Sequence, residues 1–319
     1  MEASVNAGSE IAKLVPGAIT FTNSEYITLR NNTFRHLGST GLLFDKGCHK
    51  NLICNNIFTD ISGSGICIGN NEQNASLSTE NSITNNLIEN IANEYMGSIG
   101  IFVMAAQNTT IEYNELRNFP YSGISVGWGW GKIEGFNTLA NKITHNKIDC
   151  TLQSMNDTGA IYMLGKQGKC DMITTTLQTE MHDNYIINFN RRYGAIYFDQ
   201  GSSFINSHDN VVENNVGGSA NWSVISDSLT YGIKLYNNYY SPGYMTIPVQ
   251  NNVCSETIVG SHIVQNNTAI SSSNTAIVTS IKNAAGRIAS TNCNPIAFSV
   301  TPLQPTVTKN STPSKTKKL

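Results

Sequence analysis

One short pattern returns along most of the chain: an apolar residue, two residues, Asn, one residue, then a second apolar residue. It reads Leu29…Asn32-x-Phe34, Ile53…Asn56-x-Phe58, Ile83…Asn86-x-Ile88 and Ile111…Asn114-x-Leu116. It continues as Ile143…Asn146-x-Ile148, Met181…Asn184-x-Ile186, Asn210-x-Val212 and Leu235…Asn238-x-Tyr240. Successive Asn lie 24, 30, 28, 32, 38, 26 and 28 residues apart. A floor near 24 with variable insertions above it is what stacked coils produce when their turns accept loops. Apolar positions alternate within each unit, so helical repeats fit poorly. The expected fold is all-β, a right-handed parallel β-helix of about eight to ten coils.

The repeated Asn has a physical task in such a fold. At a bend between short strands the chain must tolerate a left-handed residue and satisfy its backbone groups. Stacked about 4.8 Å apart, Asn amides carry donor and acceptor together and can bond above and below. A second row follows each Asn: Gly41-Leu-Leu-Phe44, Gly65-Ile-Cys-Ile68, Gly100-Ile-Phe-Val103, Gly123-Ile-Ser-Val126, Ala160-Ile-Tyr-Met163 and Ala195-Ile-Tyr-Phe198. Period-two alternation sends Ile66, Ile68, Ile124, Val126, Ile161, Met163, Ile196 and Phe198 inward. Ser125, Tyr162 and Tyr197 then face outward, one above another. The expected organisation is a lead-in or cap over 1–17, the β-helix over 18–300, and a disordered Pro/Thr/Ser/Lys tail over 301–319.

Composition narrows the functional classes. Twenty basic and 22 acidic residues leave no electrostatic footprint for nucleic acid. No apolar run approaches a membrane span, and Met1-Glu2-Ala3 opens nothing like a signal peptide. Seven cysteines with no CxxC pair argue against zinc, and Cys54 and Cys67 read as buried thiols. No His/His/carboxylate or dense Asp cluster calls for a metal, and no cofactor motif occurs. A monomer is expected.

Chemistry concentrates in three segments. Pro120-Tyr121-Ser-Gly-Ile-Ser-Val-Gly-Trp128-Gly-Trp130-Gly131 holds two of the chain's three Trp between glycines, which would leave the indoles uncovered as sugar platforms. Asn156-Asp157-Thr-Gly-Ala-Ile-Tyr162 and Gly194-Ala-Ile-Tyr197-Phe-Asp199-Gln200-Gly201 each set a carboxylate beside an outward Tyr on successive coils. Paired carboxylates across a sugar-sized gap are the usual machinery of glycoside hydrolysis. Simple stacking places the two Asp about 20 Å apart along the strands, too far for a pair unless the insertion before Gly159 bends Asp157 back over the face. Either Asp could instead cap a turn; Phe44-Asp45-Lys-Gly47 repeats the Asp199 shape three coils earlier. Gln167, His182, Asp183, Arg191, Arg192 and Glu213 are further polar candidates, His182 with a bend hydrogen bond as its expected role.

These segments, with Ala18–Asn23 and His36–Gly41, resemble right-handed β-helix carbohydrate-active enzymes, most closely the relatives of glycoside hydrolase family 141. The resemblance spans about residues 15 to 255. It implies a glycosidase acting on plant-type or fucosylated polysaccharide, an extracellular setting, and two catalytic aspartates that match Asp157 and Asp199. Trp128, Trp130, Tyr121, Tyr162, Tyr197 and Gln200 would then bind an oligo- or polysaccharide. The chain departs from the family in two ways. Gln200 stands where relatives carry Glu, and relatives have further N-terminal coils and an added β-domain, so truncation at the N terminus is an expectation. Two other readings stay open: a non-catalytic glycan-binding or structural β-helix, and a polysaccharide lyase or epimerase.

Overall fold

The computed structural model describes residues 15–70, 72, 75–118, 120–129, 138–149, 151, 154–155, 157–167, 178–189, 193–214, 221–226, 230–244 and 262–289. The chain is a right-handed parallel β-helix. Among the described residues each coil contributes one strand to each of three parallel sheets, except the last, which contributes to two. The first sheet has eight strands, from Gly17–Phe21 to Ser223–Ile225. The second and third have nine each, ending at Ile263–Gln265 and Thr268–Ala269. A two-stranded strip, Ser78–Thr79 with Ala106–Gln107, lies between the first and second sheets. The expected lead-in (bar residues 15–17) and the tail 301–319 lie outside the described residues.

Both apolar positions of the repeat point inward. The one before Asn supplies the second sheet's core column of Ile53, Ile83, Ile111, Ile143 and Met181; the one after supplies Phe58, Ile88, Leu116, Ile148 and Ile186 from the third. The eight residues expected inward from the first sheet complete the same core. Phe34 stacks on Phe58 at 4.5 Å and Phe21 on Phe44 at 4.7 Å, so identical register positions pack face to face along the axis.

The Asn ladder forms as expected and runs one rung further, to Asn267. In each rung Oδ1 accepts from the backbone N–H and the Nδ2 of the preceding Asn, while Nδ2 reaches back to a carbonyl of the earlier coil. For Asn114, Nδ2 donates to Ile83 O at 2.9 Å and to Asn146 Oδ1 at 3.0 Å. The left-handed residue, however, is the one before the ladder: Asn55, Asn85, Tyr113, His145, Asp183 and Asp209 all have φ between 51° and 57°. Division of labour explains this, because the rung Asn must keep its amide aligned with the stack while its neighbour turns the chain. A shorter ladder, Asn51 to Asn81, with Asn141 capping Thr109 N, occupies the bend into the second sheet.

Three features differ from expectation. Cys54 is disulfide-bonded rather than a thiol, whereas Cys67 and Cys48 are buried thiols. Asp45 and Asp199 share a register position but are five coils apart, not three, through Gly69, Met104, Gly127 and Leu164. Finally, a helix at Thr275–Ala284 packs Val278 and Ile281 outside the third sheet against Tyr185 and Val211, with Lys282 on Glu213 at 2.7 Å. Beyond it the chain runs back along the ladder corner: Gly286 N donates to His145 O, and Ile288 N to Asn85 Oδ1.

Candidate functional site

The outward row of the first sheet reads Thr20, Leu43, Cys67, Phe102, Ser125, Tyr162, Tyr197, Val224. Loops entering this sheet from the third form one wall beside the row, and loops leaving it toward the second form the other. The row changes character along the axis. Leu43, Cys67 and Phe102 belong to one apolar cluster with Ile99, Tyr121 and Met155 from the first wall and Met104, Ala105 and Trp128 from the second. Two coils on, the polar residues collect.

Asp199 follows its strand and is only 9% exposed. Its carboxylate accepts the Tyr162 hydroxyl at 2.5 Å and the Tyr197 hydroxyl at 3.2 Å. Tyr162 and Tyr197 meet edge to face at 5.4 Å, and Tyr193 stacks parallel on Tyr197 at 5.3 Å. Burial and the adjacent Asp199 charge push both phenols well above the usual tyrosine range, so each serves as a donor. Tyr121 is held up at about 12, chiefly by burial, and its hydroxyl donates to the Asp157 backbone oxygen at 3.3 Å. Ser122 and Thr158 hydroxyls bond across the same pair of coils.

Asp157 occupies a left-handed turn, φ 60°, in the insertion before its strand, and is exposed. Desolvation first, then the negative charge of Asp199, raises its carboxyl above the ordinary value of 3.8. The same two carboxylates both act on the Tyr121 and Tyr197 hydroxyls. Asp157, at its left-handed turn, thus stands near enough to Asp199 to feel its charge. Tyr121, Asp157, Tyr162, Tyr197 and Asp199 share one electrostatic cluster.

Not every expected residue stands as the sequence suggested. Trp128 is 6% exposed, its ring 5.9 Å from Phe102 at 59°, so it is a packed residue and not an open platform. Gly127 (φ 102°) explains how: a Cβ there would lie 1.9 Å from Leu164 O and 2.2 Å from Gln167 Nε2. The glycine lets two coils pack closely immediately before the buried indole. Trp130, Arg191 and Arg192 lie outside the described residues. Gln200 is exposed on the turn after Asp199. Gln167 is fully buried, donating to Val126 O at 3.3 Å and Leu164 O at 3.2 Å, which pins the strand end next to Asp199. Tyr193 was missed; its place beside Gly194, just before the small-residue row, was the available signal.

A separate polar column crosses the second sheet. Tyr113, His145, His182, His208 and Tyr236 follow one another with ring centroids 4.8 to 6.1 Å apart. His182 bonds Asp183 at 2.7 Å, the bend role expected for it, and His208 bonds Asp209 at 2.7 Å and nears Glu180 at 3.7 Å. Glu213 bonds the Tyr185 hydroxyl and Lys282, under the helix. Among the described residues no group of three or more His, Cys, Asp or Glu is arranged to hold a metal.

Comparison with known proteins bears on the fold. Residues 17–167 match the family profile "Right handed beta helix region". A search of curated proteins finds no match. Among solved structures, a glycoside hydrolase superposes with a TM-score of 0.60 at 23% identity, covering 86% of this chain and 40% of that one. This chain therefore spans about two fifths of that protein's length. An alginate lyase gives a TM-score of 0.38 at 13% identity, covering 82% of this chain and 55% of its own. The Dettilon tailspike protein gives 0.37 at 17%, covering 79% and 55%. Strand order, ladder and family profile agree: this chain is a right-handed parallel β-helix that resembles, in fold, a much longer glycoside hydrolase.

Proposed function

We propose that the chain is a glycoside hydrolase, acting on plant-type or fucosylated polysaccharide through Asp157 and Asp199. The observation that carries this reading is the asymmetry between the two carboxyl groups. Asp199 is buried and fixed by two phenol donors, whereas Asp157 is exposed and biased toward its protonated form by desolvation and by Asp199 itself. Two carboxyl groups whose environments differ in this way suit separate roles in glycoside cleavage. Asp157 is the general acid that protonates the leaving oxygen; Asp199 is the base or nucleophile. Tyr162 and Tyr197 orient Asp199, and Tyr193, half-exposed against Tyr197, together with Gln200, lines the approach. The solved hydrolase of similar fold is consistent with this reading. The disulfide at Cys54 fits the oxidising setting of a secreted enzyme.

The test is turnover of a panel of fucosylated glycans, xylans and pectins by wild type, Asp157→Asn and Asp199→Asn. Loss of a general acid or of its partner should lower kcat by about 10²–10⁴-fold with binding retained. Turnover undiminished in both variants would overturn the residue assignment. Binding without turnover in wild type would instead favour a glycan-binding protein, the reading that Gln200 in place of an acidic residue supports.

A further inference from the structure

We infer that Cys54 is joined to Cys293, and that this disulfide fastens a C-terminal strap running from the seventh coil of the β-helix back to the second. The inference goes beyond the hydrolase reading and does not depend on it. It starts from the outer face of the second sheet. Leu52 and Cys54 flank the inward Ile53 and so point away from the core, yet they are only 6% and 0% exposed. One coil below, Arg30 at the Cys54 register is exposed. Among the described residues no other apolar side chain joins Leu52 and Cys54 in their cluster. Chain from elsewhere must lie over this coil, and Cys54 is disulfide-bonded.

The strap points to where that chain comes from. The helix Thr275–Ala284 sits on the sixth and seventh coils, against Tyr185, Val211 and Glu213. Gly286 then turns the chain at φ 91° and donates its N–H to His145 O on the fifth coil, at 2.8 Å. On the third coil one side-chain amide grips both backbone groups of Ile288. Asn85 Oδ1 accepts from Ile288 N at 2.7 Å, and Asn85 Nδ2 donates to Ile288 O at 3.1 Å. The same Nδ2 reaches Asn55 Oδ1 at 2.6 Å, next to Cys54 in the chain. The strap therefore descends coil by coil toward Cys54 and stands one coil away, about 4.8 Å, at Ile288.

Chain length selects the partner. Cys48 and Cys67 are thiols, which leaves Cys150, Cys170, Cys254 and Cys293, all outside the described residues. Bridged Cα atoms lie within about 7 Å. Cys150 adjoins Asp149 on the third sheet of the fifth coil, about 14 Å above Cys54 along the axis. Cys170 follows the buried Gln167 of the sixth coil by three residues, which span about 10 Å against a rise of about 19 Å. Cys254 precedes His262 of the ninth coil by eight residues, and would need a fully straight chain along seven coils, about 34 Å. Cys293 follows Ile288 by five residues, about 17 Å of reach for a gap of one coil. The bond forms when the two thiols pass two protons and two electrons to a disulfide oxidant, which leaves as two thiols. Stacked coils are otherwise coupled only to their neighbours, so the clasp links coils that the stack alone does not.

The experiment uses the full chain purified without reductant. Peptic digestion in acid, which stops disulfide exchange, is followed by mass spectrometry. A Cys54 peptide linked to a Cys293 peptide is expected; linkage to Cys150, Cys170, Cys254 or a second chain overturns the pairing. Hydrogen exchange then tests the strap. In Cys293→Ser, and in wild type reduced with a phosphine, the Gly286 and Ile288 amides should exchange at least about tenfold faster, with Ile111 and Ile143 unchanged. Reduction should lower the melting temperature of wild type and leave that of Cys293→Ser where it is. Unchanged exchange at Gly286 and Ile288, or a variant that still responds to reduction, overturns the clasp.

Discussion

Replacing Asn146 by Ala tests the ladder at its centre. Asn146 Oδ1 accepts from Asn114 N at 3.1 Å and from Asn114 Nδ2 at 3.0 Å; its Nδ2 donates to Ile111 O at 2.9 Å and Asn184 Oδ1 at 3.0 Å. Truncation removes all four. Asn114 Nδ2 keeps Ile83 O, and Asn184 Oδ1 keeps the Asn146 backbone N–H at 3.0 Å. The Asn114 backbone N–H loses its acceptor in a fully buried place, which costs about 1–3 kcal/mol. The three other lost bonds add about 0.5–1 kcal/mol each, for a total near 4 kcal/mol. The Asn32 side chain, at the exposed first rung, donates from Nδ2 to Arg30 O and Asn56 Oδ1, both at 3.1 Å, and water replaces these bonds; Asn32→Ala should cost below about 1 kcal/mol. Urea unfolding, with coincident refolding curves, measures both. A cost at Asn146 below about 1 kcal/mol, or no larger than at Asn32, would refute the view that the rungs bear the coil-to-coil coupling.

Three further outcomes follow from the site and the His column. Tyr162→Phe removes the 2.5 Å bond to Asp199 while keeping the ring against Tyr197, and should lower kcat/KM about 10–100-fold, the worth of a charge-assisted bond; an unchanged value would show that Asp199 needs no such donor. In Asp199→Asn the Asp157 carboxyl, followed by carbon-13 NMR titration, should move down toward its ordinary 3.8, because one of its two raising causes is gone; no movement would uncouple the pair. Because the folded state raises the Asp157 carboxyl, its ionisation destabilises the fold increasingly as pH climbs through that raised value. For His208, burial disfavours the cation, but bonds to Glu180 and Asp209 more than offset it and leave the pKa raised. Its stabilisation is present below the ordinary 6.5 and is lost as pH rises through the raised value, while Glu180, held low, loses its share as pH falls through its own. The stability gap between wild type and Glu180→Gln should therefore be widest in mild acid, and a gap independent of pH would exclude the pairing.

Much of the fold was legible in the sequence, because it is written in local chemistry repeated at one register. The Asn rung with its two apolar neighbours defined bend, core and coil, and alternation sent Ile161 and Met163 inward and Tyr162 outward, as found. What the repeat does not carry, the sequence read alone did not reveal. The partner of the rung at φ near 55° varies between Asn, Asp, His and Tyr, so no single residue type signalled it. The oxidised state of Cys54 and the returning helix depend on contacts between residues far apart in the chain.

The candidate site divides in the same way. Composition and spacing determined by themselves that two carboxylates and outward tyrosines fall on neighbouring coils. Only the tertiary structure decided that Asp157 shares a field with Asp199, that Tyr193 joins them, and that Trp128 is packed away. The physical reason is that insertions are free of the register. A strand position is fixed by the coil beneath it, whereas a loop goes where its own turns and the opposing wall send it. In this chain the loops carry Asp157, Tyr121, Met155 and Trp128.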